Sequence, residues 1–70
     1  MTLGNRIRNR RQELGLTQPE LAEKTMTTQG YISRVERDQL SPKSSMLLVF
    51  ASALSLPQKE LLNLAEKKVS

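Results

Sequence analysis

Apolar residues recur along this chain three and four positions apart, the spacing that lines up one side of an α-helix. Leu3, Ile7 and Leu14 share one face of a first helix over about residues 3–14, with Arg10 and Arg11 in the same phase. Thr2 stands where an N-cap belongs, and Gly15 stops the helix. Thr17-Gln18-Pro19-Glu20 forms a capping box: the threonine accepts from a first-turn amide and Glu20 reaches back. Pro19 is tolerated there because first-turn amides have no helical partner. The second helix, about residues 18–25, buries Leu21 and Ala22. Thr27 or Thr28 caps a third over about 28–37, with Ile32 and Val35 facing inward.

A polar loop from Asp38 to Lys43 follows, with Leu40 as anchor and Pro42 as turn former. Ser44 or Ser45 caps a fourth helix over about 45–54, whose core stripe is Leu47, Phe50, Ala51 and Leu54. Pro57 suits the first turn of a fifth helix, about 57–66, bearing Leu61, Leu62 and Leu64. Lys67 to Ser70 are expected to fray. Sustained alternation and hairpin turns of the Asn-Gly kind are missing, and no repeat or linker interrupts the pattern. The expectation is all-α: one compact five-helix domain over residues 1–70.

The second and third helices are too short to persist alone in water, so packing must hold them. Joined by a tight turn near Met26-Thr27, they form a helix-turn-helix unit, whose second member can enter a DNA major groove. An ordinary αα-hairpin within a bundle is the plainer alternative. The outer face of the third helix argues against it. Thr28, Gln29, Ser33, Arg34 and Arg37 carry the hydrogen-bonding groups that read base edges and phosphates.

Seventy residues leave room for one hydrophobic core, burying only about 60% of the unfolded surface. The chain has no cysteine and no histidine, which removes disulfides, thiolate metal sites and the commonest general base. No base-plus-nucleophile set or glycine-rich phosphate loop is present, so neither an enzyme, a cofactor nor a small-molecule substrate is expected. No apolar run approaches the roughly 20 residues of a membrane span, and the first residues lack a signal peptide, so the chain reads as cytoplasmic. The net charge of +4 points to an anionic partner. Arg6, Arg8, Arg10 and Arg11 crowd the first eleven residues without an acid. A solvated basic helix face explains them equally well.

Leu14-Gly15-Leu16-Thr17-Gln18-Pro19-Glu20-Leu21-Ala22 resembles the opening of helix-turn-helix domains of the Xre/Cro family, which includes the lambdoid phage repressors. Tyr31-Ile32-Ser33-Arg34-Val35-Glu36-Arg37 is similar to the end of the family's recognition helix and its exit. Pro42 and Ala51-Ser52-Ala53-Leu54-Ser55-Leu56 fit the fourth helix and the turn after it. The resemblance covers roughly Asn5 to Leu62. It implies a lambda repressor-like five-helix fold, symmetric homodimers on palindromic operators, and control of transcription, most simply repression, in a bacterial or phage setting.

Arg11 lies in the apolar phase of the first helix and Glu36 on the inward side of the third. Partly buried charges of opposite sign need one another, and the resemblance implies the same Arg–Glu pair. The alternative is that both snorkel to solvent. Gln29 opens the recognition helix, where glutamine can engage adenine through two hydrogen bonds. Arg34 is placed to reach a neighbouring guanine, while Ser33 and Thr28 are shorter candidates for a base edge. Gly30 falls where many relatives carry a reading side chain: it either permits close approach or reads nothing.

Gln18, Thr17, Arg11, Tyr31, Arg37, Lys43 and Ser44 fit phosphate contacts, several of them at helix starts that favour anions. Core packing is the rival role for the Tyr31 ring. The unbroken run Met46-Leu47-Leu48-Val49-Phe50-Ala51 exceeds one buried stripe. It points either to a dimer contact shared with the fifth helix or to coverage by the C-terminal segment. A protein-interaction module of the same fold is the alternative function. RNA binding is disfavoured, because one Tyr and one Phe give too few stacking platforms.

Overall fold

A computed structural model describes residues 1–66, all of whose regular elements are helical. The elements are α1 (Leu3–Glu13), α2 (Gln18–Thr25), α3 (Gln29–Glu36), α4 (Ser44–Leu54) and α5 (Gln58–Glu66). The fraying expected of Lys67–Ser70 lies outside the described residues. α2 packs on α3 and α4 on α5, while α1 touches α3, α4 and α5. One cluster forms the core, with Ile7, Leu21, Ile32, Phe50, Leu54 and Leu61 fully buried at its centre. Leu40 packs against this cluster from the loop, as expected. No helix among the described residues is long and apolar enough to cross a membrane.

Local chemistry explains most boundaries. The Thr2 hydroxyl accepts from Asn5 N–H at 3.1 Å and so caps α1. The capping box of α2 is complete: Thr17 accepts from Glu20 N–H at 3.2 Å, and Glu20 accepts from Thr17 N–H at 2.8 Å. Those bonds hold the exposed Glu20 carboxyl below the usual glutamate range, the bond from the Thr17 amide first. Thr28, rather than Thr27, caps α3 by accepting from Tyr31 N–H at 3.1 Å.

Three sequence expectations fail at helix ends. Neither Ser44 nor Ser45 caps α4; Lys43 occupies that position with extended backbone and no side-chain hydrogen bond. Pro42 is buried just before it, and α4 starts one residue early, at Ser44. Pro57 precedes α5 instead of lying inside it, and its carbonyl accepts from Glu60 N–H. Leu14 is 41% exposed. α1 stops at Glu13 in a motif that passes through Gly15 at φ +71°, and Leu16 packs on the core instead.

The same closing pattern ends α2, α3 and α4 with Met26, Asp38 and Ser55 in the left-handed region, at φ between 54° and 58°. In each case the next amide reaches back to a carbonyl of the last turn, as from Thr27 to Ala22 at 2.8 Å. Asp38 also bridges elements. Its carboxylate accepts from Gly4 N–H at 3.1 Å and from the Thr2 hydroxyl at 2.7 Å, a negative charge at the positive end of α1. Gly4 permits this approach, since a Cβ there would lie 2.5 Å from the Val35 carbonyl oxygen and 2.7 Å from that of Glu36.

Candidate nucleic-acid interface

The site is built on α3, an amphipathic helix with Ile32, Val35 and Glu36 buried on its inner side. At about 100° per residue, Gln29, Ser33, Arg37, Gly30 and Arg34 follow one another around the outer side, over an arc of roughly 140°. All but half-buried Ser33 are exposed. α1 and α2 pack on this helix from behind and leave its outer arc exposed.

Behind α3, Arg11 and Glu36 meet in a bidentate ion pair. Arg11 Nε donates to Glu36 Oε2 at 2.6 Å and Nη2 to Oε1 at 3.0 Å. The residues are 9% and 5% exposed, so the pair is shielded from screening by water. The Arg11 Nη1 group donates to the Leu16 carbonyl at 2.8 Å, tying the pair to the turn before α2. Gln18 Nε2 donates to Glu36 Oε1 at 3.1 Å, so the start of α2 joins the same network. Hydrogen bonding to Glu36 raises the Arg11 pKa further, against the opposing effect of burial, and the guanidinium remains charged.

Around this pair lies a polar hollow of about 240 Å³, lined by Arg8, Arg11, Gln18, Ser33, Glu36 and Arg37. Arg11 neutralises Glu36, so Arg8 and Arg37 leave the hollow positive. It therefore suits an anion of phosphate size. The Arg37 Nε also donates back to the Ser33 carbonyl at 3.3 Å, which holds that side chain along α3.

The structure thus brings three of the anticipated phosphate-contacting residues together in this hollow, Gln18, Arg11 and Arg37, while Thr17 lies next to Gln18 and outside the lining. The Thr17 and Thr28 oxygens each accept a cap hydrogen bond, which leaves each hydroxyl its proton and one remaining lone pair. Tyr31 and Lys43 line a separate apolar groove with Leu40, Ser41 and Met46. Exposed Ser44 lines neither hollow. The Tyr31 ring is stacked on Phe50, with centroids 6.4 Å apart and planes within 7°, so it is half-buried in core packing. Burial raises its hydroxyl pKa.

Of the four arginines that crowd the first eleven residues, Arg8 and Arg11 line the hollow and Arg6 and Arg10 do not. Arg6 pairs with Glu60 of α5, and Arg10 Nε donates to the Leu54 carbonyl at the end of α4 at 2.9 Å. Helical phase carried the signal, because Arg8 stands three residues before Arg11 and Arg6 four before Arg10. No group of three or more His, Cys, Asp or Glu among the described residues could hold a metal ion.

Two short helices at a tight turn, with a polar outer arc on the second and a positive hollow beside it, define a helix-turn-helix DNA-binding domain. Residues 7–61 match the helix-turn-helix family, and the chain belongs to it. The immunity repressor protein of Bacillus phage phi105 is 43% identical over 56 residues, covering 80% of this chain and 39% of that protein. The chain therefore spans about two-fifths of that relative's length. The P22 c2 repressor in complex with synthetic operator 9T superposes with a TM-score of 0.83 at 31% identity, over 87% of this chain and 92% of that one. The restriction-modification controller C.AhdI from Aeromonas hydrophila gives 0.78 at 34% identity, over 84% and 86% respectively. Family, fold and relatives place the chain among helix-turn-helix domains of the kind found in phage repressors and a restriction-modification controller.

Proposed function

We propose that this domain reads duplex DNA by laying α3 in the major groove, and that it does so as one half of a homodimer on a palindromic operator. The regulator it serves is a cytoplasmic, bacterial or phage-encoded repressor that needs no catalysis. The uncovered outer arc of α3, with Gln29, Gly30, Arg34 and Arg37 exposed beside a positive hollow, carries the reading. Gln29 pairs with adenine and Arg34 with guanine, while Ser33 and Thr28 supply shorter contacts. Arg8, Arg37 and Gln18 grip a phosphate, helped by the amides that open α2. Lys43 and Ser44 supply a second phosphate contact at the start of α4. Arg11 and Tyr31 act chiefly by holding these groups in place. Leu48 and Val49, both exposed on α4, favour a protein contact and fit the dimer.

Selection from random duplex DNA tests this directly. An enriched palindrome supports both base reading and two-fold symmetry. With about four phosphates neutralised per subunit, log affinity should fall with log salt at a slope on the order of −7. Gln29→Ala should cost roughly 1–3 kcal/mol on the selected site and relax one base-pair preference. Failure to enrich any sequence, with no duplex binding at low salt, would turn the assignment toward a protein-interaction module of the same fold.

A further inference from the structure

The three glycines of this chain differ in what the fold asks of them. Gly4 is required by packing, because a Cβ would meet the Val35 carbonyl at 2.5 Å. Gly15 is required by its backbone, which lies at φ +71°. Gly30 answers to neither. It sits in the first turn of α3 with helical backbone, and beyond its chain neighbours and the helix's own backbone the nearest atom to a Cβ placed there is the Thr28 hydroxyl oxygen at 4.0 Å. Nothing inside the protein forbids a larger residue, and glycine is among the poorest helix formers. The position is also central: Gly30 lies within the exposed arc, between Gln29 and Arg34.

We infer that Gly30 is a specificity-determining residue that acts by its missing side chain, letting the first turn of α3 seat against the base-pair edges on the groove floor. This rests on the DNA-binding reading above. A recognition helix contacts bases with its N-terminal residues, so the depth of that turn sets the reach of every reading group on it. A Cβ at residue 30 stands outward by a carbon–carbon bond and lifts the helix. Gln29 and Arg34, on either side, then lose hydrogen-bond distance together. The phosphate contacts of Arg8 and Arg37, on longer and more pliable side chains, follow the shift.

The test is Gly30→Ala and Gly30→Val, measured on the sequence that the unaltered protein selects from random duplexes and on an unselected duplex of equal length. Gly30→Ala should melt a few degrees above the parent, because its helix improves. It should bind the selected site at least about tenfold more weakly, with Gly30→Val weaker still. Affinity for the unselected duplex should stay within about twofold, since backbone contacts dominate there. Reselection with Gly30→Ala should alter one or two base pairs in each half-site. Retained affinity of Gly30→Ala for the selected site overturns the inference, as does an equal loss on both DNAs, which would turn Gly30 toward a phosphate. A melting point below the parent's also overturns it, by showing that the fold needs the glycine. If the parent selects no sequence, the DNA-binding reading falls first and takes this inference with it.

Discussion

Arg6 and Arg10 on one side of α1, and Arg8 and Arg11 on the other, carry the same charge and are put to different uses. The first two are structural ties: Arg6 to Glu60 of α5, and Arg10 to the last carbonyl of α4, where a cation also meets the negative end of a helix. The second two face α3 and the polar hollow, Arg11 as the buried anchor of α3 and Arg8 in the lining of the hollow. A basic first helix is thus not a uniform electrostatic patch. Three of its four arginines are engaged inside the molecule, and counting arginines overstates what is left for a polyanion.

The largest effect separating the two sides should come from Glu36→Ala. It leaves the Arg11 guanidinium buried and unpaired, and unfolding experiments should show a loss of roughly 3–5 kcal/mol. An unchanged midpoint in denaturant would mean that the pair contributes no more than a surface contact. Arg10→Ala should cost about 1 kcal/mol through its lost bond to Leu54, with no change in the salt dependence of DNA binding. Arg8→Ala should do the reverse: stability within about 0.5 kcal/mol of the parent, weaker binding on all sequences, and a salt slope shallower by about one. Exchange of these two outcomes would erase the distinction between the faces.

Glu60→Ala should cost only about 0.2–1 kcal/mol, because the Arg6–Glu60 pair is partly solvated where Arg11–Glu36 is not. The smallest effect concerns the capping box. Glu20 is held below the usual glutamate range when folded, so its contribution is whole above about pH 4.3 and fades as pH falls through the lower folded value. Acid titration of Glu20→Gln should therefore fall less steeply than that of the parent below about pH 5. Identical acid limbs would count against the cap as a source of pH dependence.

Much of this was readable along the chain. All five helices stand within a residue of their expected ends, since apolar spacing repeats faithfully and Thr2, Thr17 and Thr28 mark three starts. The chain ends of helices were harder. Glycine marks only the first of four left-handed closures, and Met26, Asp38 and Ser55 adopt the others, a region uncommon for residues other than glycine. Met26 is 93% exposed there, so solvent rather than packing receives its side chain. The Arg11–Glu36 pair was legible because two charges occupy apolar phases. The bond from the Gly4 N–H to Asp38 was not, because neither residue departs from its local pattern and they stand 34 positions apart.

The sequence alone determined the helical period, three of the starts, the inward set of residues and the chemistry displayed on α3. Those follow from interactions among near neighbours, which a linear pattern records. Tertiary packing decided which arginines face α5 and which face α3, how closely Gly4 lets α1 approach the end of α3, and which side of α3 stays open. Each depends on how whole helices meet. A helix states which residues share a face; only its neighbours settle whether that face is covered.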